Sequence, residues 1–243
     1  MSAAVVSQTD ALTLLIRDVS LRASRGAKPL VVFDLDDTLL STAQRHMRIL
    51  REFAALDAVR SRWQEASTLA RLSSHELRYS IADSAKAAGV ARPELLDDLS
   101  RFWRERFFLN EYLLSDEPVA GAAPFCEELL RAGARLAYMT GRDEAMREGT
   151  ERSLSRHGFP TAGAVLILKP RFDTPDLQFK AQALARLPAF GEVAAAFENE
   201  PAHINAFAEA FPEALMFLLD TRHSGKPVVP HARVRAIKDF RRS

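Results

Sequence analysis

Pro29-Leu30-Val31-Val32-Phe33-Asp34-Leu35-Asp36-Asp37-Thr38 is the stretch that decides the fold. Its first half is apolar, β-branched and aromatic-ended, the signature of a fully buried strand. Such a strand delivers its carboxylates into the crevice at the carboxyl edge of a parallel sheet, where open α/β folds bind ligands. Buried Asp side chains are costly unless they hold a metal or do chemistry. Asp34 and Asp36 are two apart, so an extended backbone points both to one side, with Asp37 directed toward the loop or the following turn. One carboxylate can attack while its neighbour gives or takes a proton. A divalent cation would neutralise the crowded charge and orient a phosphate. The plainer alternative is a strand end followed by an Asp-rich helix cap that includes Thr38.

Outward from this strand the chain changes character twice. Before it, Leu12, Leu15, Ile16 and Val19 fall at helical spacing over residues 8–23, with Thr9 or Asp10 as the expected cap and Ser24-Arg25-Gly26 as the break. After it, strand-like runs vanish from Ser41 to Pro118. Three helical stripes take their place: Met47, Leu50, Phe53 and Ala54; then Leu77, Ile81, Ala85 and Ala88, ended by Gly89; then Leu95, Leu99, Phe102 and Trp103, with Pro93 near the start. Twelve Lys/Arg balance twelve Asp/Glu there, so the stretch is a small neutral all-helical insert and not a charged arm.

Strands and helices then alternate. Expected strands are 135–139, 164–168, 193–197 and 214–219, with helices from Gly121 through Leu130, Asp143 to His157, Asp176 to Leu187 and Pro201 to Phe211. That rhythm implies βαβ units and a parallel sheet. The expected organisation is an α/β core of residues 1–40 and 119–243 and a helical insert of residues 41–118.

The bulk properties exclude several function classes. With 27% charged and 47% hydrophobic residues, the chain is globular rather than disordered. A net charge of +1 excludes a generally basic nucleic-acid coat but not a local basic patch. The lone Cys126 cannot form an internal disulfide, which suits a reducing, cytoplasmic setting. No apolar run reaches membrane-spanning length. Residues 1–10 carry no basic leader region, which argues against a secretory signal.

Polar groups close the other strands. Thr140-Gly141-Arg142 follows the second, where a hydroxyl and backbone N–H groups at a strand-to-helix turn make an anion cradle and Gly141 permits close approach of a phosphate. Lys169 and Lys180 lie between the third and fourth strands, and either could neutralise a nucleophilic carboxylate and a phosphoryl group. Glu198-Asn199-Glu200-Pro201 follows the fourth and offers oxygens to a hard cation such as Mg²⁺, or is simply an acidic helix start with Pro201 at its first position.

In order, these pieces resemble the haloacid dehalogenase-like (HAD) hydrolase superfamily. Phe33-Asp34-Leu35-Asp36-Asp37-Thr38-Leu39 is similar to its first motif, Tyr138-Met139-Thr140-Gly141-Arg142 to its second, and the run from Phe197 to Ala206 to its fourth. The insert resembles the superfamily's α-helical cap. The resemblance implies a Rossmann-like parallel sheet flanked by helices, with the cap inserted after the first strand. It implies an Mg²⁺-dependent phosphatase acting on a small phosphorylated substrate. Asp34 would be the nucleophile and Asp36 the general acid and then base. Thr140 and the Gly141 amide would hold phosphate. The carboxylate of Asp34 and the backbone carbonyl of Asp36 would bind Mg²⁺. A carboxylate at position 36 disfavours dehalogenation. For the third motif, Lys169-Pro170 and Asp176-x-x-x-Lys180 compete, and Lys180 is preferred. The fourth motif departs from the family: Asn199 stands where a metal-binding Asp is usual, with Glu198 or Glu200 as candidates to reach the metal. His203 is read as helix surface. Two other readings stand beside the enzyme. One is a HAD-fold protein of weakened catalysis that binds a phosphorylated ligand or a partner. The other is nucleic-acid end processing through the tail from Thr221, which holds seven Lys/Arg against Asp239; a solvated terminal helix or strand is the favoured account of that tail.

Overall fold

The computed structural model describes residues 7–242, so the leader-region reading of residues 1–6 and the terminal Ser243 lie outside it. The eight strands described are β1 (Pro29–Phe33), β2 (Leu40–Ser41), β3 (Glu117–Pro118), β4 (Arg135–Asp143), β5 (Val165–Lys169), β6 (Glu192–Glu198), β7 (Leu215–Leu219) and β8 (Val234–Ile237). Six form one sheet in the order β5-β4-β1-β6-β7-β8, and every pairing in it is parallel. The helices on its faces are α1 (Gln8–Ser24), then, after the insert, α8 (Ala122–Arg131), α9 (Arg147–Arg156), α10 (Asp176–Leu184) and α11 (Pro201–Ala210). The insert holds α2 (Ala43–Ala55), α3 (Asp57–Arg62), α4 (Ala66–Leu69), α5 (Ile81–Ala87), α6 (Pro93–Phe107) and α7 (Asn110–Leu113).

Strand β1 is buried along its whole length because both faces of the sheet are covered. Val31 and Phe33 face a cluster with α1 and α8, which includes Leu12, Leu15, Phe125 and Leu129. Leu30 and Val32 face the opposite cluster with α10 and α11, which includes Phe179, Ile204 and Phe207. Stacked rings at Phe33, Phe197 and Phe217, 4.7 and 4.5 Å apart, tie β1, β6 and β7 across the first face. From β1 the chain visits β4 and β5 on one side and then β6 to β8 on the other. The crevice at the carboxyl end of β1 is therefore the topological switch point of the sheet.

The two-stranded antiparallel ribbon β2–β3 brackets the helical insert. The insert has its own apolar cluster, including Met47, Leu50, Phe53, Trp63, Leu77, Ile81, Leu95 and Leu99. Leu77 packs in that cluster but precedes the helix, which starts at Ile81 behind the capping Ser80.

Several local expectations change. Ser7, and not Thr9 or Asp10, caps α1, its hydroxyl accepting from the Asp10 amide at 3.1 Å. The second strand does not stop at Met139. It continues through a register shift to Asp143, which pairs with Lys169, so the helix expected from Asp143 begins only at Arg147. The tail from Thr221 supplies the sixth sheet strand, β8, and Phe240 then returns to the core, its amide donating to the Ala120 carbonyl at 2.9 Å. Gly121 permits that return: with φ at +77°, a Cβ there would lie 2.8 Å from the Phe240 carbonyl carbon. Among the described residues no helix is long and apolar enough to cross a membrane.

Candidate active site

Asp34 is the first residue past β1, and its amide continues the ladder to the Phe197 carbonyl at 3.0 Å. The chain then reverses tightly, with the amides of Thr38, Leu39 and Leu40 all donating to the Leu35 carbonyl. Asp37 makes the reversal possible. Its φ of +56° is the one positive value at a non-glycine position among the described residues, a conformation that Asp tolerates better than most side chains. Its carboxylate accepts from the Thr42 amide at 3.0 Å and from Arg222 Nη2 at 2.8 Å. Asp37 thus shapes the turn and docks α2, while Asp34 and Asp36 line the cavity with it.

The Asp36 carboxylate is clamped. Its Oδ1 accepts from Arg45 Nη2 at 3.0 Å and from Arg142 Nε at 3.1 Å, with Arg142 Nη2 closing a second contact. Both guanidiniums also bind Asp116, at 2.8 Å from Arg45 Nε and 2.8 Å from Arg142 Nη2. Arg45 comes from α2, Asp116 from the segment returning into β3, and Arg142 from the extension of β4. The result is a network of two cations and two anions in which Arg45, Arg142 and Asp116 are buried and Asp36 is partly open. Burial alone would raise the Asp36 carboxyl, but Arg142 and Arg45 outweigh it and hold the group well below the usual carboxylate range.

A second buried network sits at Asp34. Lys180 Nζ donates to Asp34 Oδ1 at 2.9 Å and also bonds Glu198 Oε1. Lys169 instead pairs with Asp176 at 2.8 Å and donates to the Phe172 carbonyl at 3.2 Å. Helix α10 packs on β4 and α11, and that packing swings Lys180 onto the carboxylate while Lys169 stays at the end of β5. Glu198 is fully buried and does not line the cavity. Its Oε2 accepts from the amides of Asn199 and Glu200, both at 3.0 Å. Its Oε1 faces Lys180 and His203, so the residue expected as a metal arm is the counter-ion of the lysine here. His203, expected on the helix surface, lies within the site, with Nδ1 3.2 Å from Lys180 Nζ.

Lys180 is thus one cation between two buried carboxylates. Burial pushes the Asp34 carboxyl up to about 8, with Glu198 adding to the rise and Lys180 opposing it. Burial also opposes ionisation of Glu198, but Lys180 and His203 hold that group at about 2. Asp34 is therefore the member of the trio whose charge lacks a full partner.

Thr140 is buried at the cavity wall, and Gly141 lies in the bulged extension of β4 rather than in a strand-to-helix turn. A Cβ at Gly141 would sit 3.2 Å from Asp176 Oδ1, so any larger residue there would make the Asp176 carboxylate shift by a few tenths of an ångström. Asn199 is anchored by its Nδ2, which donates to the Arg222 carbonyl at 2.6 Å, and its Oδ1 faces Thr38 Oγ1 at 3.5 Å. Glu200 accepts from Ser224 Oγ at 2.8 Å. Asp34, Asp36, Thr140, Lys180 and Asn199 all line one cavity of about 760 Å³ between the sheet edge and the helical insert, in the range of small-molecule sites. Arg222 lines it too, with Nη1 buried and without a hydrogen-bond partner among the described residues. Such an orphan donor suits an anionic ligand.

Among the described residues no group of three or more His, Cys, Asp and Glu side chains is placed to hold a metal ion. The cavity lining offers hard oxygen donors from Asp34, Asp36 and Asn199. This fits Mg²⁺, which commonly takes one or two carboxylates and completes its shell with water and substrate phosphate.

Sequence reasoning missed Arg45, Asp116 and Arg222, and read His203 as helix surface rather than as part of the site. Arg222 had a signal, since it follows the carboxyl end of β7 as the other site residues follow theirs. Arg45 and Asp116 had none, being single charges within a neutral insert.

A family model described as haloacid dehalogenase-like hydrolase matches residues 28–210. No curated protein matches the chain. Solved structures similar to it include a putative phosphatase from Clostridium difficile, 14% identical with a TM-score of 0.54, covering 81% of this chain and 87% of that one. CbbY from Rhodobacter sphaeroides in complex with phosphate is 20% identical with a TM-score of 0.50, covering 87% and 94%. Protein Tyrosine Kinase A from Mycobacterium tuberculosis is 19% identical with a TM-score of 0.52, covering 86% and 94%. At these identities the likeness is one of fold.

Proposed function

The chain belongs to the haloacid dehalogenase-like hydrolases, and on that premise we propose that it is an Mg²⁺-dependent phosphomonoesterase working through an aspartyl-phosphate on Asp34. The observation that carries this reading is the Asp34 carboxylate itself, buried at the end of β1, lining the cavity and held by Lys180 at 2.9 Å. In the proposed reaction an Asp34 oxygen attacks phosphorus and the bond to the leaving oxygen breaks. Asp36 gives the leaving oxygen a proton, then takes one from the water that attacks the phosphoenzyme and restores Asp34. Thr140 and the Gly141 amide hold the phosphoryl oxygens, and Lys180 and Arg222 balance their charge. Residues 41–118 act as the cap that covers the leaving group.

The arginine clamp refines the role of Asp36. An ionised carboxylate is ready to act as a base, whereas acting first as an acid requires a proton. Arg142 lines the cavity, so an arriving phosphoryl group competes with Asp36 for its guanidinium. In this proposal, substrate binding draws Arg142 away and lets Asp36 take up the proton that it donates.

Mg²⁺ would be held by the Asp34 carboxylate, the Asp36 carbonyl and Asn199, where it supplies the positive charge that Asp34 and the phosphoryl oxygens lack. The neutral Asn199 supports a second reading, a family member of weakened catalysis that binds a phosphorylated ligand. Of the cations after Thr221, Arg222 and Lys226 line the cavity, Arg235 lies in β8, and Arg241 and Arg242 pair with Asp239 and Glu128, which favours a small substrate over a nucleic-acid end.

Phosphate release from p-nitrophenyl phosphate tests the proposal. Asp34→Asn should abolish it, and EDTA should silence the wild type until Mg²⁺ is restored. Full activity of the variant would remove Asp34 as nucleophile, and indifference to chelation would remove the metal.

A further inference from the structure

The cavity has two unlike halves. The sheet edge contributes carboxylates, Lys180, Thr140 and Asn199, all accounted for by a phosphoryl group. The opposite wall is aromatic, built from His46, Tyr79, Trp103, Phe107 and Phe108 of the helical insert and Phe172 from the loop after β5. Five of its six rings form a continuous chain: His46 stacks on Trp103 at 5.7 Å, Trp103 on Phe107 at 4.5 Å, Trp103 meets Phe108 at 5.7 Å, and Phe108 meets Phe172 edge-on at 4.7 Å. The indole N–H of Trp103 is used internally, donating to His46 Nδ1 at 3.1 Å, so Trp103 brings the cavity a ring with its polar atom already bonded.

Core packing explains part of this wall, since His46 and Phe107 are buried. It does not explain the part farthest from the core. Tyr79 is 60% exposed and Phe172 51% exposed, yet both stand on the cavity. Exposed rings on a site, one of them, Phe172, continuous with the half-buried Phe108, are an arrangement that stacks a planar ligand. A polyhydroxylated leaving group would call for an array of hydrogen-bonding side chains; the insert brings Thr42, Ser80, Ser100 and Arg104 to the cavity, and the three hydroxyls already bond Asp37, Asp83 and the Leu96 carbonyl.

We infer that the phosphomonoester carries a planar aromatic ring on its leaving group, stacked on this wall while the phosphoryl group meets Asp34. The inference rests on the phosphatase reading for its orientation, but binding can be measured without turnover. Adenosine 5′-monophosphate and ribose 5-phosphate share the same phosphoester and leaving oxygen and differ by the base; benzyl and ethyl phosphate repeat the contrast without ribose. Calorimetric titration of the Asp34→Asn protein should favour the ring-bearing member of a pair by roughly tenfold, the scale of one ring stacked on an aromatic side chain. Phe172→Ala and Tyr79→Ala, at exposed positions, should each cut that ratio several-fold, while Leu21→Ala on α1 leaves it unchanged. Equal affinity within both pairs, or a ratio indifferent to both aromatic variants, overturns the inference. Phosphate release by the wild type is scored separately. Preferential ring binding without release sinks the phosphatase reading alone, and release with no ring preference in affinity sinks this inference alone.

Discussion

Replacing Asp116 by Asn keeps the volume of the side chain and removes one negative charge from a place that water does not reach. The Asp116 and Arg45 side chains are 0% exposed and that of Arg142 is 1% exposed. Two guanidiniums now face two carboxylates; after the substitution they face Asp36 alone. Breaking a buried pair so that one charge is uncompensated costs about 3–5 kcal/mol. For a chain of this length each kcal/mol moves the melting temperature by about 2–4 °C, so calorimetry should find a loss of roughly 6–20 °C. The charge argument has a sharper form. Arg45→Met alone leaves Asp36 and Asp116 to share the single guanidinium of Arg142, but Arg45→Met combined with Asp116→Asn leaves Arg142 paired with Asp36. The double variant should therefore be less destabilised than the sum of the single ones by about 2 kcal/mol, within the usual range for residues of one network. A melting temperature within about 3 °C of wild type, or strictly additive losses, would refute the claim that this network is an energetically coupled unit.

The two lysines should separate in a kinetic assay: Lys180→Met should lower kcat by roughly 10²-fold or more, the scale of a lost electrostatic stabiliser, whereas Lys169→Met, whose ammonium serves Asp176 and a backbone carbonyl, should change it only a few-fold. Comparable losses in both would undo the assignment of Lys180. Asn199→Asp should lower the Mg²⁺ concentration needed for half-maximal activity, because it adds a charge to the donor set; an unchanged requirement would remove Asn199 as a ligand. Burial and the charges of Arg222 and Arg45 depress His46 from 6.5 to about 3. The unfolded chain therefore takes up a proton below pH 6.5 that the folded one refuses, and stability falls as pH drops from there toward 3, by about 2 kcal/mol at pH 5. His46→Gln, which keeps an acceptor for Trp103, should lose that part of the slope in urea titrations at pH 7 and 5; an identical slope in both proteins would show that His46 is not the group responsible.

How much of the site was legible follows from which element carries each residue. Asp34, Asp36, Asn199 and Arg222 lie one to three positions beyond the carboxyl end of a parallel strand, and Thr140 and Gly141 lie within the last four residues of one. Strands announce themselves by apolar runs, and all their carboxyl ends meet at one edge, so locating strands locates these residues. Arg222 escaped only because the same rule was not carried to β7. Lys180, His203 and Arg45 come from helices. A helix presents a different side chain every 100° or so, and which one reaches the cavity depends on how the helix is rolled against its neighbours, which spacing along the chain does not encode. Lys180 is nearer than Lys169 to Asn199 along the chain, but the contact that holds it to Asp34 joins residues 146 positions apart. The insert shows the same limit in its charges. Twelve cations against twelve anions describe a solvated surface, yet Arg45 and Asp116, 71 positions apart, meet in the interior. Net charge is a sum, and a sum hides a pair withdrawn from both sides of it. Strand β8 was hidden for a related reason. Four residues long, it carries Arg235 between Val234 and Ile237, and a charge on an edge strand weakens the apolar signal while discouraging further pairing at that edge.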